Sequence, residues 1–247
     1  MTPGPTIIYQ CYKCEGNFKY PTIGSGNTFG ARFWSDGKKD APMLPDQPWL
    51  IKCPNCAALI WRDELKQMGE AEAGPFAYNI PLPILLNLLE IRPTPKHTNV
   101  YNLYPATTPS FLDYYFFDMA DISNTARKLN LGFWAWLGGC NNRRDKQKER
   151  YVRQRTWWAG NDCRRKSKEL PFSSMEIENL RAYITLLDEN DETDRIMKAE
   201  AHRELGEFEN AEKILAMPFG DELKDAAGFI RNQNKQGITS VTEMIFE

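Results

Sequence analysis

The chain reads as an α+β protein: a small all-β module organised by four cysteines, followed by an α-helical region. Two observations predict this. Near the N-terminus cysteines occur twice in CxxC spacing, at Cys11/Cys14 and Cys53/Cys56, with short strand-like runs on either side. From residue 173 onward, apolar residues recur at helical spacing instead. Seven prolines between residues 69 and 109 exclude one long helix there. The expected division is therefore 1–68 for the β module, 69–109 for a proline-rich connector and 110–247 for the helical domain.

The 247 residues are 42% hydrophobic, enough for ordinary cores and too apolar for a disordered chain. The net charge of -2 by itself points to neither a nucleic acid nor an acid-rich tail. It conceals an imbalance. Residues 142–168 hold eleven Lys/Arg against three Asp/Glu, whereas 169–247 hold eight against eighteen. The N-terminus lacks a basic start and a signal-length apolar core. The most apolar stretch, 80–91, is interrupted by Pro81 and Pro83 and is far short of the ~20 residues that span a bilayer. A cytoplasmic location is expected, and in that reducing setting paired cysteines point to a metal rather than to disulfides.

A CxxC turn lets two thiolates reach one ion, and two such turns supply the four ligands of a closed tetrahedral site. Residues 6–9 read as a strand entering the first turn and 18–20 as one leaving it. Residues 49–51 and 59–61 do the same for the second. The motifs Cys11-Tyr-Lys-Cys14 and Cys53-Pro-Asn-Cys56 resemble those of the zinc-ribbon or rubredoxin-like superfamily. That resemblance implies one structural Zn2+ held by Cys11, Cys14, Cys53 and Cys56. In small peptides such an ion contributes folding energy on the order of 10–16 kcal/mol, far more than any single packing contact. The 38-residue spacer between Cys14 and Cys53 departs from the pattern, being about twice the usual ~15–20. An inserted hairpin accounts for the extra length, with Phe33-Trp34-Ser35 leading into Asp36-Gly37, a favoured type I′ turn. Three other readings of the cysteines compete. An iron site would use the same thiolates, but Glu15 and Ala57 stand where rubredoxins usually have glycine. A thioredoxin-like dithiol would need a βαβ unit, which the pattern lacks. A catalytic zinc would keep one position open for water.

The glycine-rich run 24–30 lacks the Lys-Ser/Thr of a P-loop and reads as a flexible turn. Its functional reading is that Ser25, Asn27 and Thr28, with Phe33, Trp34 and Trp49, form a recognition surface. In the connector, 84–91 reads as a short helix that Pro83 would open, and His97 in the following loop has no role assigned.

In the helical half, Ser110 caps a helix over 111–120, with further helices over 122–137 and 142–158. The last is strongly basic and reads as ending at Gly160. Trp157 and Trp158 are expected to fill a core gap. Ser173-Ser-Met-Glu176 is a capping box, followed by an apolar stripe of Ile177, Leu180, Ile184 and Leu187. After the acidic turn 188–191 a helix carries Ala199, Gly206, Phe208 and Ala211, with Met217-Pro218 closing the unit. This pattern resembles the tetratricopeptide repeat (TPR). The resemblance implies a helical hairpin over 192–217: Ala199 and Ala211 at the close helix crossing, Gly206 in the turn and Phe208 opening the second helix. One repeat cannot bury its own apolar face, so 175–190 and a helix over 223–234 are its expected neighbours. Gly237 ends that helix, and Ser240 to Glu243 reads as the cap of a short final one. His202 is expected at the surface, and Cys140 and Cys163 as free thiols.

With two histidines and none of the common hydrolase, zincin or P-loop motifs, no catalytic residues and no small-molecule cofactor site are assigned. The chain resembles bacterial proteins that join a zinc ribbon to a helical C-terminal half, a resemblance that carries no activity. The expectation is a non-enzymatic zinc-binding protein that engages a protein partner through the ribbon and the helical platform. The alternative is nucleic-acid binding through the ribbon and the basic 142–168 segment, with Trp157 and Trp158 available for stacking. Pairing of that segment with the acidic C-terminal part is the competing explanation of its charge. An enzyme remains a third class, with Asn161, Asp162 and Arg164 as the compact polar cluster to inspect.

Overall fold

A computed structural model describes residues 1–71, 105–115, 117, 142–166 and 170–245, with the backbone alone for 142–145. In chain order its elements are β1 (Thr2–Gln10), β2 (Asn17–Ser25), β3 (Arg32–Trp34), β4 (Lys39–Asp40), β5 (Leu50–Lys52), β6 (Leu59–Trp61) and β7 (Lys66–Ala71). These are followed by α1 (Asn142–Arg164), α2 (Ser174–Thr185), α3 (Glu192–Glu204), α4 (Phe208–Leu215), α5 (Asp221–Lys235) and β8 (Glu243–Met244). The fold is α+β. The chain forms two compact units: Met1–Ala31 with Ala41–Pro109, and Arg32–Asp40 with Ser110–Glu247.

In the first unit β1 is the middle strand of an antiparallel sheet of order β2-β1-β7, and β5 pairs with β6. The register sets Ile7 opposite Tyr20 and Tyr9 opposite Phe18, and in the second hairpin Ile51 opposite Ile60. Phe18, Tyr20, Ile51 and Ile60 pack with Cys11 and Cys53 into one buried cluster. Each well-buried side chain of this size contributes about 1.5–3 kcal/mol. The register along β1 slips near Pro3, since prolines at 3 and 5 bring no N–H to the ladder. Strand β7, with sequence KQMGEA, carries no apolar alternation and is mostly exposed, so patterning does not announce it.

In the second unit, α2 to α5 pack in succession and α3 also touches α5, while α1 lies against α2. Ala199 and Ala211 are fully buried, and Ala199 shares one core cluster with Ile196, Leu215 and Ile230. Gly206 sits at φ 75° after α3, where a residue with a Cβ would be strained, and α4 starts at Phe208. The capping box at Ser173 forms as expected: its hydroxyl accepts from the Glu176 N–H, and the Glu176 carboxylate takes the Ser173 N–H. At Ser110, the Asp113 carboxylate closes a similar ring and residues 111–115 are helical. The expected helices over 84–91 and 122–137 lie outside the described residues, as do His97 and Cys140.

Three expectations are corrected. The basic helix does not stop at Gly160 but runs to Arg164. Gly160 serves close packing instead, since a Cβ there would meet Glu176 Oε1 at 2.4 Å. Residues 240–243 do not cap a helix. Glu243 and Met244 form β8, which pairs with β3 by setting Met244 opposite Phe33 and Glu243 opposite Trp34, because the β3 edge offers them a ladder that local capping signals do not register. The inserted hairpin exists, but its turn is not type I′. Gly37 (φ 76°) alone has positive φ, its N–H donates to Trp34 O, and the Trp34 N–H donates to Lys38 O. This is a three-residue turn with a bulge glycine.

Candidate metal centre

The two CxxC turns fold alike. In the first, Cys11 N–H donates to Gly16 O and Glu15 N–H to Cys11 O. In the second, Cys53 N–H donates to Ala58 O and Ala57 N–H to Cys53 O. Backbone N–H groups point at the sulfurs: Lys13 at Cys11, Gly16 at Cys14, Asn55 and Cys56 at Cys53, and Ala58 at Cys56. The residue after each pair, Glu15 (φ 58°) or Ala57 (φ 59°), is left-handed. The conformation associated with glycine is therefore present without glycine. Asn55 of the second turn donates from Nδ2 to Asn17 O (3.2 Å) beside the first, fixing one knuckle to the other.

All four Sγ atoms lie within 4.8 Å of one another. Cys11 and Cys56 stand 3.9 Å apart across the site, as do Cys14 and Cys53. Four sulfurs at ~2.3 Å from a central Zn2+ would have tetrahedral edges of about 3.8 Å, so the cage fits such an ion. A disulfide needs about 2.05 Å, and all four thiols are free. Cys11 and Cys53 are buried, while Cys14 and Cys56 reach the surface. Burial pushes the Cys53 thiol up to about 12, whereas the N–H of Ala58 lowers that of Cys56. Four thiolates fill a tetrahedral shell and leave no position for water, the arrangement of a structural site. A tetrahedral S4 set suits zinc or iron.

The structure separates the other candidate residues. Ser25, Asn27 and Thr28 are exposed, and Asn27 Oδ1 accepts the Phe29 N–H, as a turn would. Trp49 is exposed, but Trp34 is buried, so the aromatic set expected for recognition is not one surface. Phe33 and Trp34 also belong to the second unit. Trp157 is buried against Tyr183, which removes it from stacking on a nucleic acid. In the basic helix, Arg150 pairs with Asp194, Arg153 with Glu149, Arg164 with Glu176 and Arg165 with Asp36 and Asp162. His202 is half-buried, its Nδ1 2.8 Å from Glu207 Oε2. Cys163 is exposed.

Sequence reasoning missed a buried polar cluster made by Asp36 with Asn161, Arg165, Glu200, Arg203 and Glu204. Of these, the sequence offers only Asn161, in a cluster with Asp162 and Arg164. The available signal was Glu200, Arg203 and Glu204 at i, i+3 and i+4, an acidic face folded around one arginine on a helix that also carries the small-residue crossing site. Among the described residues no helix is long and apolar enough to cross a membrane. Comparison of the chain with protein-family models, with curated proteins and with solved structures finds no match to any of them.

Proposed function

We propose that this chain is a non-enzymatic interaction protein in which a zinc ribbon, holding one structural Zn2+ on Cys11, Cys14, Cys53 and Cys56, is joined to a TPR-like helical platform that receives a protein partner. The observation that carries the reading is the convergence of four thiols at tetrahedral spacing. Support for the platform comes from Ala199 and Ala211 buried where α3 and α4 meet, and from Gly206 and Phe208 at the turn. Nucleic-acid binding is the weaker reading, because Arg150, Arg153, Arg164 and Arg165 already hold carboxylates and Trp157 is buried.

The test is capture on the immobilised full chain, zinc-loaded and chelator-stripped, with mass spectrometry of retained proteins and quantification of retained nucleic acid. A protein retained reproducibly at moderate salt supports the reading. Retention of nucleic acid that falls steeply with salt would replace it with the alternative.

A further inference from the structure

Asp36 sits at the tip of the β3–β4 turn and is fully buried within the second unit. Its carboxylate accepts from Asn161 Nδ2 (3.0 Å), the Lys38 N–H (3.1 Å) and the Arg165 guanidinium, and its carbonyl accepts from Trp158 Nε1 (2.9 Å). On α3, the buried Glu204 accepts from Trp157 Nε1 (2.7 Å), and its two oxygens lie 3.1 and 3.2 Å from the same Asn161 Nδ2. One amide nitrogen therefore serves two buried carboxyl groups, one hydrogen to each. The positive charges are unequally shared. Arg165 is committed to Asp36, and Arg203 to Glu200 (2.5 Å) and to the carbonyls of Ile238 and Ser240. Among the described residues no Lys or Arg lies within ion-pair distance of Glu204. With all groups ionised, Asp36, Glu200 and Glu204 would face two guanidiniums. A proton on Glu204 closes that imbalance.

We propose that Glu204 is a proton-operated latch for the 32–40 turn: neutral, it shares Asn161 with Asp36 and lets the turn dock; ionised, it repels Asp36 and loosens it. Like charges sharing one site cannot both ionise cheaply. Burial first, then the charges of Glu200 and Asp36, hold the Glu204 carboxyl well above the usual glutamate range. The Arg203 charge opposes this without outweighing it, and the cations around Glu204 are held by other carboxylates. From α1 it meets Asn161 and Trp157, with Arg164 on Glu176 of α2 and Arg165 on Asp36. From the turn, Asp36 faces it while Lys38 pairs with Asp162 (2.5 Å). Its own helix contributes Glu200 and Arg203, with His202 turned to Glu207. From the C-terminal segment, Thr239 and Ser240 line a small cavity together with Glu204 and Arg164, and Glu243 of β8 stands opposite Trp34. The sign follows. A carboxyl whose folded value is raised stabilises the docked turn fully below the unfolded value, and that stabilisation is lost as pH rises through the folded value.

The test uses the full chain from about pH 5 to about pH 9, a range above the free glutamate value. It reads amide exchange at Ser35 and Thr242, which bond each other across the docked turn, together with the Trp158 indole N–H. In the wild type, exchange corrected for its intrinsic pH dependence rises by roughly tenfold or more across that range, about a unit of linkage. In Glu204→Gln the profile is flat. In Asp36→Asn the repelling charge is gone, so the rise moves to lower pH or vanishes; a rise left unchanged or moved to higher pH overturns the proposal. Infrared difference spectra of the wild type supply a check that needs no variant: a protonated-carboxyl band at neutral pH that titrates with the exchange transition. Its absence, or identical profiles for wild type and Glu204→Gln, would overturn the latch.

Discussion

Glu15 and Ala57 hold left-handed backbone at φ 58° and 59° because the knuckle requires it, and both pay in Cβ crowding. That conformation is disfavoured by about 1–2 kcal/mol for a residue with a Cβ, and glycine returns part of the gain through its larger unfolded freedom. Glu15→Gly and Ala57→Gly are each expected to stabilise the loaded site by about 0.5–1 kcal/mol, read as roughly two- to fivefold tighter zinc in a chelator competition. The four cysteines were legible because ligand spacing is a local property of two tight turns. Asp36 and Glu204 were not. Asp-Gly signals a turn and acidic helix positions signal solvent, and only packing of the 32–40 segment against α1 and α3 buries them.

At the scale of elements, the α3–α4 hairpin was readable because small residues at a close crossing leave a spaced signature. Ala199 and Ala211 are both fully buried, so Ala199→Leu should overpack the crossing and cost about 1–3 kcal/mol in denaturant unfolding followed by far-UV dichroism. Glu176 both caps α2 and holds Arg164 at 2.7 Å. Burial opposes its ionisation, but Arg164 and the Ser173 N–H and hydroxyl prevail and lower it. Its contribution is present above the ordinary glutamate value and is lost as pH falls through the lowered one. Glu176→Gln should cost about 0.5–2 kcal/mol at neutral pH and progressively less in acid, checked by unfolding at both pH values. The end of α1 and the strand β8 escaped the sequence for a shared reason. Gly160 and 240–243 obey partners far along the chain, Glu176 and β3, which override local stop and cap signals.

Across the whole molecule, the basic 142–168 and acidic 169–247 stretches look like opposed surfaces in the sequence. In the fold, Arg150–Asp194 and Arg164–Glu176 join them within one unit. A single-stranded oligonucleotide is accordingly expected to show no salt-sensitive binding in a fluorescence anisotropy titration at low ionic strength, and a steep salt slope would contradict this. The α+β division was legible from composition and periodicity, while the membership of residues 32–40 in the helical unit was not, since chain order places them between the two cysteine pairs. The central claim is that Cys11, Cys14, Cys53 and Cys56 bind one zinc ion. X-ray absorption on the purified full chain, with its metal content measured in parallel, tests it most directly. The account predicts one zinc per chain surrounded by four sulfurs at about 2.3 Å; a chain that takes up no zinc, or zinc with nitrogen or oxygen replacing any of those sulfurs, would contradict it.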